Sequence, residues 1–109
     1  SMISTHILDT DLGQPATQVD VKLFNHVGEL LACAQTNIDG RIQAADFGLE
    51  ALISGEYALE FNTKNYFEKQ GLETFFPKTV IHFYIQNTEQ HYHIPLLISP
   101  FAYSTYRGS

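Results

Sequence analysis

The sequence predicts an all-β protein, a two-sheet β-sandwich of about seven to eight strands with one short helix. Three observations carry this. Apolar and polar residues alternate with a period of two in several short stretches, turn residues separate those stretches, and one segment alone has the make-up of a short helix.

Taken in order, Gly13-Gln14-Pro15 reads as a turn, after which Val19, Val21 and Leu23 alternate with Asp20, Lys22 and Phe24. Asn25–Gly28 is a loop before the run Leu30–Thr36. Asn37-Ile38-Asp39-Gly40 is a second turn, which delivers Arg41 just beyond it. Ala44–Ser54 fits either a short strand or one helical turn. Glu56–Phe61 alternates again. Thr63–Gly71 is the helix, with Thr63 as its cap and Gly71 as its stop. After Phe75-Phe76-Pro77 come the strand-like runs Thr79–Gln86, His91–Ile98 and Phe101–Arg107, divided by Asn87–Gln90 and Ser99-Pro100. The pattern gives the fold class but not the strand order.

Composition narrows the function. At 109 residues the chain is one domain, 1–109, with 44% apolar residues to build a core. Ser1 before Met2 reads as a cloning remnant. The single cysteine, Cys33, rules out an internal disulfide and is expected to be a packed thiol within Leu30–Ala34. A formal charge of −6 disfavours nucleic acid and anionic membrane as partners. The N-terminus shows no secretory leader and the C-terminus no peroxisomal tripeptide, so the cytoplasm is the expected compartment. The periplasm is the alternative if a leader has been removed.

No nucleophile elbow, phosphate loop or paired-cysteine motif is present. What remains is two arginines, Arg41 and Arg107, and a scatter of histidines. Either arginine can grip a planar anion with its guanidinium fork, or simply sit in solvent. His91 and His93, two apart in a strand, share a face. They suit a metal site with His6 as third ligand, a proton shuttle, or an ordinary edge-strand pair. The aromatic, β-prone stretch from Ser99 to Ser109 points to a docked chain end rather than a frayed one.

At these residues the chain resembles the 5-hydroxyisourate hydrolases, the enzyme branch of the transthyretin-related family. The resemblance runs nearly end to end. Ser4-Thr5-His6-Ile7-Leu8-Asp9 with Gly13-Gln14-Pro15-Ala16 looks like the family's opening motif. Gly55-Glu56-Tyr57, Thr63–Tyr66 and Phe75-Phe76-Pro77 resemble its middle, and His91–Pro100 is similar to its signature. The closing tetrapeptide Tyr106-Arg107-Gly108-Ser109 is the most specific element, because transthyretin, the hormone carrier, lacks it.

The resemblance implies a transthyretin-like sandwich, assembled as a homotetramer with active sites at the dimer–dimer interface. It implies metal-independent hydrolysis of 5-hydroxyisourate to 2-oxo-4-hydroxy-4-carboxy-5-ureidoimidazoline, without a cofactor. It also implies the site: His6, Arg41, His93 and Ser109 as catalytic residues. His6, Arg41, Tyr106, Arg107 and Gly108 would bind substrate. A carrier that binds small aromatic ligands without turnover is the alternative.

Overall fold

Nine strands and two short helices make up residues 2–109, the part of the chain that the computed structural model describes. Ser1, read above as a cloning remnant, lies outside the described residues. The strands are β1 (Met2–Asp9), β2 (Gln14–Pro15), β3 (Asp20–Asn25), β4 (Leu30–Gln35), β5 (Arg41–Ile42), β6 (Gly55–Phe61), β7 (Thr79–Ile85), β8 (His91–Ser99) and β9 (Ala102–Thr105). The helices are α1 (Ala44–Phe47) and α2 (Thr63–Glu68).

They form the expected sandwich. One sheet has the order β2-β1-β8-β9, with β5 also paired to β1; the other has the order β4-β3-β6-β7. Among the strands that the sequence did not announce are β2 and β5, two-residue pairings too short to leave a period. Val21 stands opposite Phe61 and Leu23 opposite Leu59 in the second sheet. All four are buried, and they meet Ile3, Ile7, Leu96 and Ile98 of the first sheet. Each such side chain contributes about 1.5–3 kcal/mol by leaving water.

The alternation read for β3 and β6 and the runs read for β7 and β8 hold within a residue or two, and Ala44–Phe47 takes the helical option. Other expectations are corrected. Thr63 does not cap α2; Asn62 holds that position, and the Thr63 hydroxyl is buried without a partner. The helix stops at Glu68, and Gly71 closes the turn beyond it. Cys33 is exposed rather than packed, because the flanking Ala32 and Ala34 face the core and the period of two turns the thiol outward. The last strand ends at Thr105 instead of Arg107.

Strand β1 was not read from the sequence at all, yet it lies at the heart of the first sheet. It runs parallel to β8 from Met2–His91 to Asp9–Ile98. Its inward side chains are Ile3, Thr5, Ile7 and Asp9, all buried. Thr5 donates to the carbonyl of Ile94 at 2.6 Å. The Asp9 carboxylate accepts from the Tyr66 hydroxyl at 2.7 Å and from the amides of Asp11 and Leu12 at 2.9 and 3.0 Å. Burial, then the Asp9 carboxylate, pushes the Tyr66 phenol up to about 12. This carboxylate ties α2 to β1 and organises the following turn. Asp9→Ala is expected to lower the unfolding free energy by about 3 kcal/mol, because it leaves three donors unmatched. Urea denaturation checks this; a variant with wild-type stability would assign the bonds no net worth.

Candidate active site

Strand register brings the chemistry together. His6 of β1 and Arg41 of β5 are direct antiparallel partners, so their side chains share a face. Ser4 and His93 are partners in the parallel β1–β8 pairing. Because Ile3, Thr5 and Ile7 point into the core, Ser4 and His6 project from the outer face of the sheet. His91 and His93 alternate with the buried Tyr92 and Ile94 and project the same way.

Arg41 is held in register by Gly40. The Gly40 carbonyl accepts from the Ile7 amide at 2.8 Å, and its φ is +72°. A Cβ there would stand 2.5 Å from the Ile7 carbonyl oxygen. Only glycine lets the turn press against β1 and leave Arg41 opposite His6.

Ser4, Thr5, Arg41, Ile42, Gln43, His91, His93 and Ser109 line a small cleft of about 190 Å³. His6 stands beside it, next to Arg41, rather than in its wall. A larger hollow, about 750 Å³, lies on the outer face of the second sheet around Lys22, Cys33 and Glu60. It contains no histidine or arginine, so its size does not make it the site.

The electrostatics are consistent along the cleft. Burial, then the Arg41 guanidinium, holds the His6 imidazole below its ordinary pKa, against a smaller opposing pull from Asp39. Burial and Arg41 do the same to His93, aided by His91 and His6 and opposed by the Ser4 backbone. Both rings are therefore neutral near pH 7, with a lone pair available for a proton. Arg41 makes no ion pair; the one salt bridge among the described residues joins Lys78 to Glu60. A guanidinium left free at a cleft is available to an anionic or developing negative group.

The tail after β9 folds back over this site. The Gly108 amide donates to the His93 carbonyl at 2.9 Å. A Cβ on residue 108 would lie 2.5 Å from Cδ2 of the His93 ring. Gly108 thus sets the His93 ring by contact, and Ser109 reaches the cleft wall. Gly108→Ala is expected to lower turnover by about tenfold to a hundredfold by displacing ring or tail, with little loss of stability. Turnover measured beside a melting curve tests this, and an alanine variant of normal turnover would remove Gly108 from the site.

The other half of the tetrapeptide lines a neighbouring hollow. Arg107 sits 4.6 Å above the Tyr92 ring and donates to Gln90 at 3.2 Å. Tyr106 is exposed beside it, at a hollow shared with His82, Tyr84 and His93. Of the expected site residues, His6, Arg41, His93, Gly108 and Ser109 come together at the cleft, while Tyr106 and Arg107 meet His93 at the neighbouring hollow. His91 joins the cleft. Among the described residues no three His, Cys, Asp or Glu side chains are grouped to hold an ion. Two cleft residues carried little sequence signal: Ser4, visible only inside the opening motif, and Gln43, with none.

Comparison with known proteins gives the chain its family. A sequence profile described as the HIUase/Transthyretin family matches residues 3–108. A 5-hydroxyisourate hydrolase of Salmonella dublin is 43% identical over 112 residues, covering 100% of this chain and 82% of that one. The solved structure of Klebsiella pneumoniae 5-hydroxyisourate hydrolase superposes with a TM-score of 0.89 at 44% identity, covering 100% of both chains. Sea bream transthyretin in complex with thyroxine superposes with a TM-score of 0.87 at 29% identity, covering 99% of this chain and 95% of that one. The sandwich, its register and these matches agree: the chain belongs to the HIUase/transthyretin family.

Proposed function

We infer that this protein hydrolyses 5-hydroxyisourate to 2-oxo-4-hydroxy-4-carboxy-5-ureidoimidazoline, the ring-opening step on the route from urate to allantoin. The observation that carries the reading is one guanidinium, Arg41, flanked by His6 and His93, two imidazoles held neutral, on one sheet face. The named relatives at 43–44% identity support the same reaction. The carrier reading is weaker, resting on a transthyretin at 29% identity that shares the sandwich.

In this reading water attacks a ring carbonyl and a ring nitrogen leaves. One histidine takes the proton of the water, and the other orients or protonates the leaving nitrogen, for a rate gain of about a hundred- to ten-thousandfold. Arg41 holds the substrate oxygens and meets the charge that develops on the carbonyl. Ser109 helps order the water, and the backbone at Gly108 positions the ring. These roles need no metal, so turnover is expected to survive chelation.

The test is the decay of 5-hydroxyisourate generated in place by urate oxidase, with and without the protein. Acceleration above the spontaneous rate is the expected result. A folded protein that gives none would leave the carrier reading. A homotetramer with its sites between dimers is part of the proposal, supported by the placement of the cleft on an open outer sheet face. A mass measurement in solution is expected to return four copies. No helix of the described residues is long and apolar enough to cross a membrane.

A further inference from the structure

One hydroxyl joins two of the cleft histidines. Oγ of Ser4 lies 2.8 Å from Nδ1 of His93 and 2.8 Å from Nε2 of His91. A serine hydroxyl has a single hydrogen to give. Between two neutral imidazoles it therefore donates to one and accepts from the other, which leaves two arrangements. In the first, His93 carries its hydrogen on Nδ1 and donates it to Ser4, while Ser4 donates to His91. In the second the bonds run in reverse, and the hydrogen of His93 sits on Nε2.

One feature selects the first arrangement. Arg41 shares the cleft, and its positive charge favours a lone pair over an N–H on the nitrogen that Ser4 does not hold. The register Ser4–His93 builds this bridge into the β1–β8 pairing. His91 is exposed, and its part is to accept the Ser4 hydrogen.

We propose that Ser4 and His91 are positioning residues that lock His93 in the form with a bare Nε2, which makes His93 rather than His6 the general base. The assignment of a base rests on the hydrolase reading; the lock itself does not. His6 is left to handle the leaving nitrogen.

Nitrogen-15 NMR of histidine-labelled protein near neutral pH reads the tautomer without any substrate. The expected spectrum shows His93 protonated at Nδ1 and bare at Nε2. Ser4→Ala should lose this preference, and Ser4→Thr, which keeps the hydroxyl, should retain it. His91→Phe removes the acceptor at an exposed position and should lower kcat about tenfold, the worth of one hydrogen bond, while KM stays nearly constant. An Nε2-protonated His93 in the unmodified protein would overturn the proposal. So would a His91→Phe variant with unchanged kcat. If the unmodified protein does not accelerate 5-hydroxyisourate decay, the hydrolase reading fails, and the spectrum still decides whether the lock exists.

Discussion

Replacing Arg41 by lysine is expected to lower kcat/KM for 5-hydroxyisourate by about a hundredfold to a thousandfold, the usual worth of a preorganised charge donor. Lysine keeps the charge but not the planar fork, which can hold two substrate oxygens at once. Stability should be unaffected, since Arg41 is exposed and makes no ion pair. Arg41→Gln adds a second signature. The histidine that takes the proton must be neutral, so activity is present above its lowered pKa and falls as pH drops through it. Without the guanidinium the values of both histidines rise toward the ordinary histidine range, and the acid limb of the pH–rate profile should move to higher pH. Arg41→Lys should leave that limb nearly in place. Initial rates from about pH 5 to 8 separate the two effects. Near-normal turnover in the lysine variant would refute the bidentate role.

The second large effect is expected at His93. His93→Ala should reduce kcat by about a hundred- to ten-thousandfold, as loss of a general base does. Alanine also removes the ring against which Gly108 packs, so part of the loss could come from a loosened tail. His93→Gln separates these causes, because it keeps most of the volume and none of the basicity. Comparable losses in both variants, with unchanged melting temperatures, would support proton transfer. A glutamine enzyme with most of its turnover would reduce His93 to a packing residue.

The sequence disclosed strands wherever the inward set is uniformly apolar. Val21 and Leu23, or Leu59 and Phe61, announce their faces plainly. Strand β1 escaped because Thr5 and Asp9 point inward, and their polarity is satisfied by Ile94 and Tyr66, partners far along the chain. Local alternation cannot reveal a polar residue whose bond is made at long range. The same limit applied to the site. Arg41 was conspicuous as one of two arginines, but its pairing with His6 depends on Gly40 pressed against Ile7. The terminal tetrapeptide was recognised whole through resemblance. The structure divides it, with Gly108 and Ser109 at the cleft and Arg107 stacked on Tyr92. Cys33 was misjudged because an apolar neighbourhood in sequence straddles both faces of a strand.

The parallel pairing of β1 with β8 has a consequence for the birth of the protein. Ser4 and His93 are 89 residues apart in the chain and neighbours in the sheet. On the ribosome, β1 emerges well before its partner, so the first sheet cannot close until β8 has been made. Such distant pairing is slow to nucleate, and the waiting strand, with Ile3 and Ile7 uncovered, is open to pairing with the wrong neighbour. A nascent chain halted before β8 would therefore carry His6 and Arg41 with no base to serve them. In the proposed reading, catalytic competence arrives in one step with β8, not gradually as the earlier strands are made.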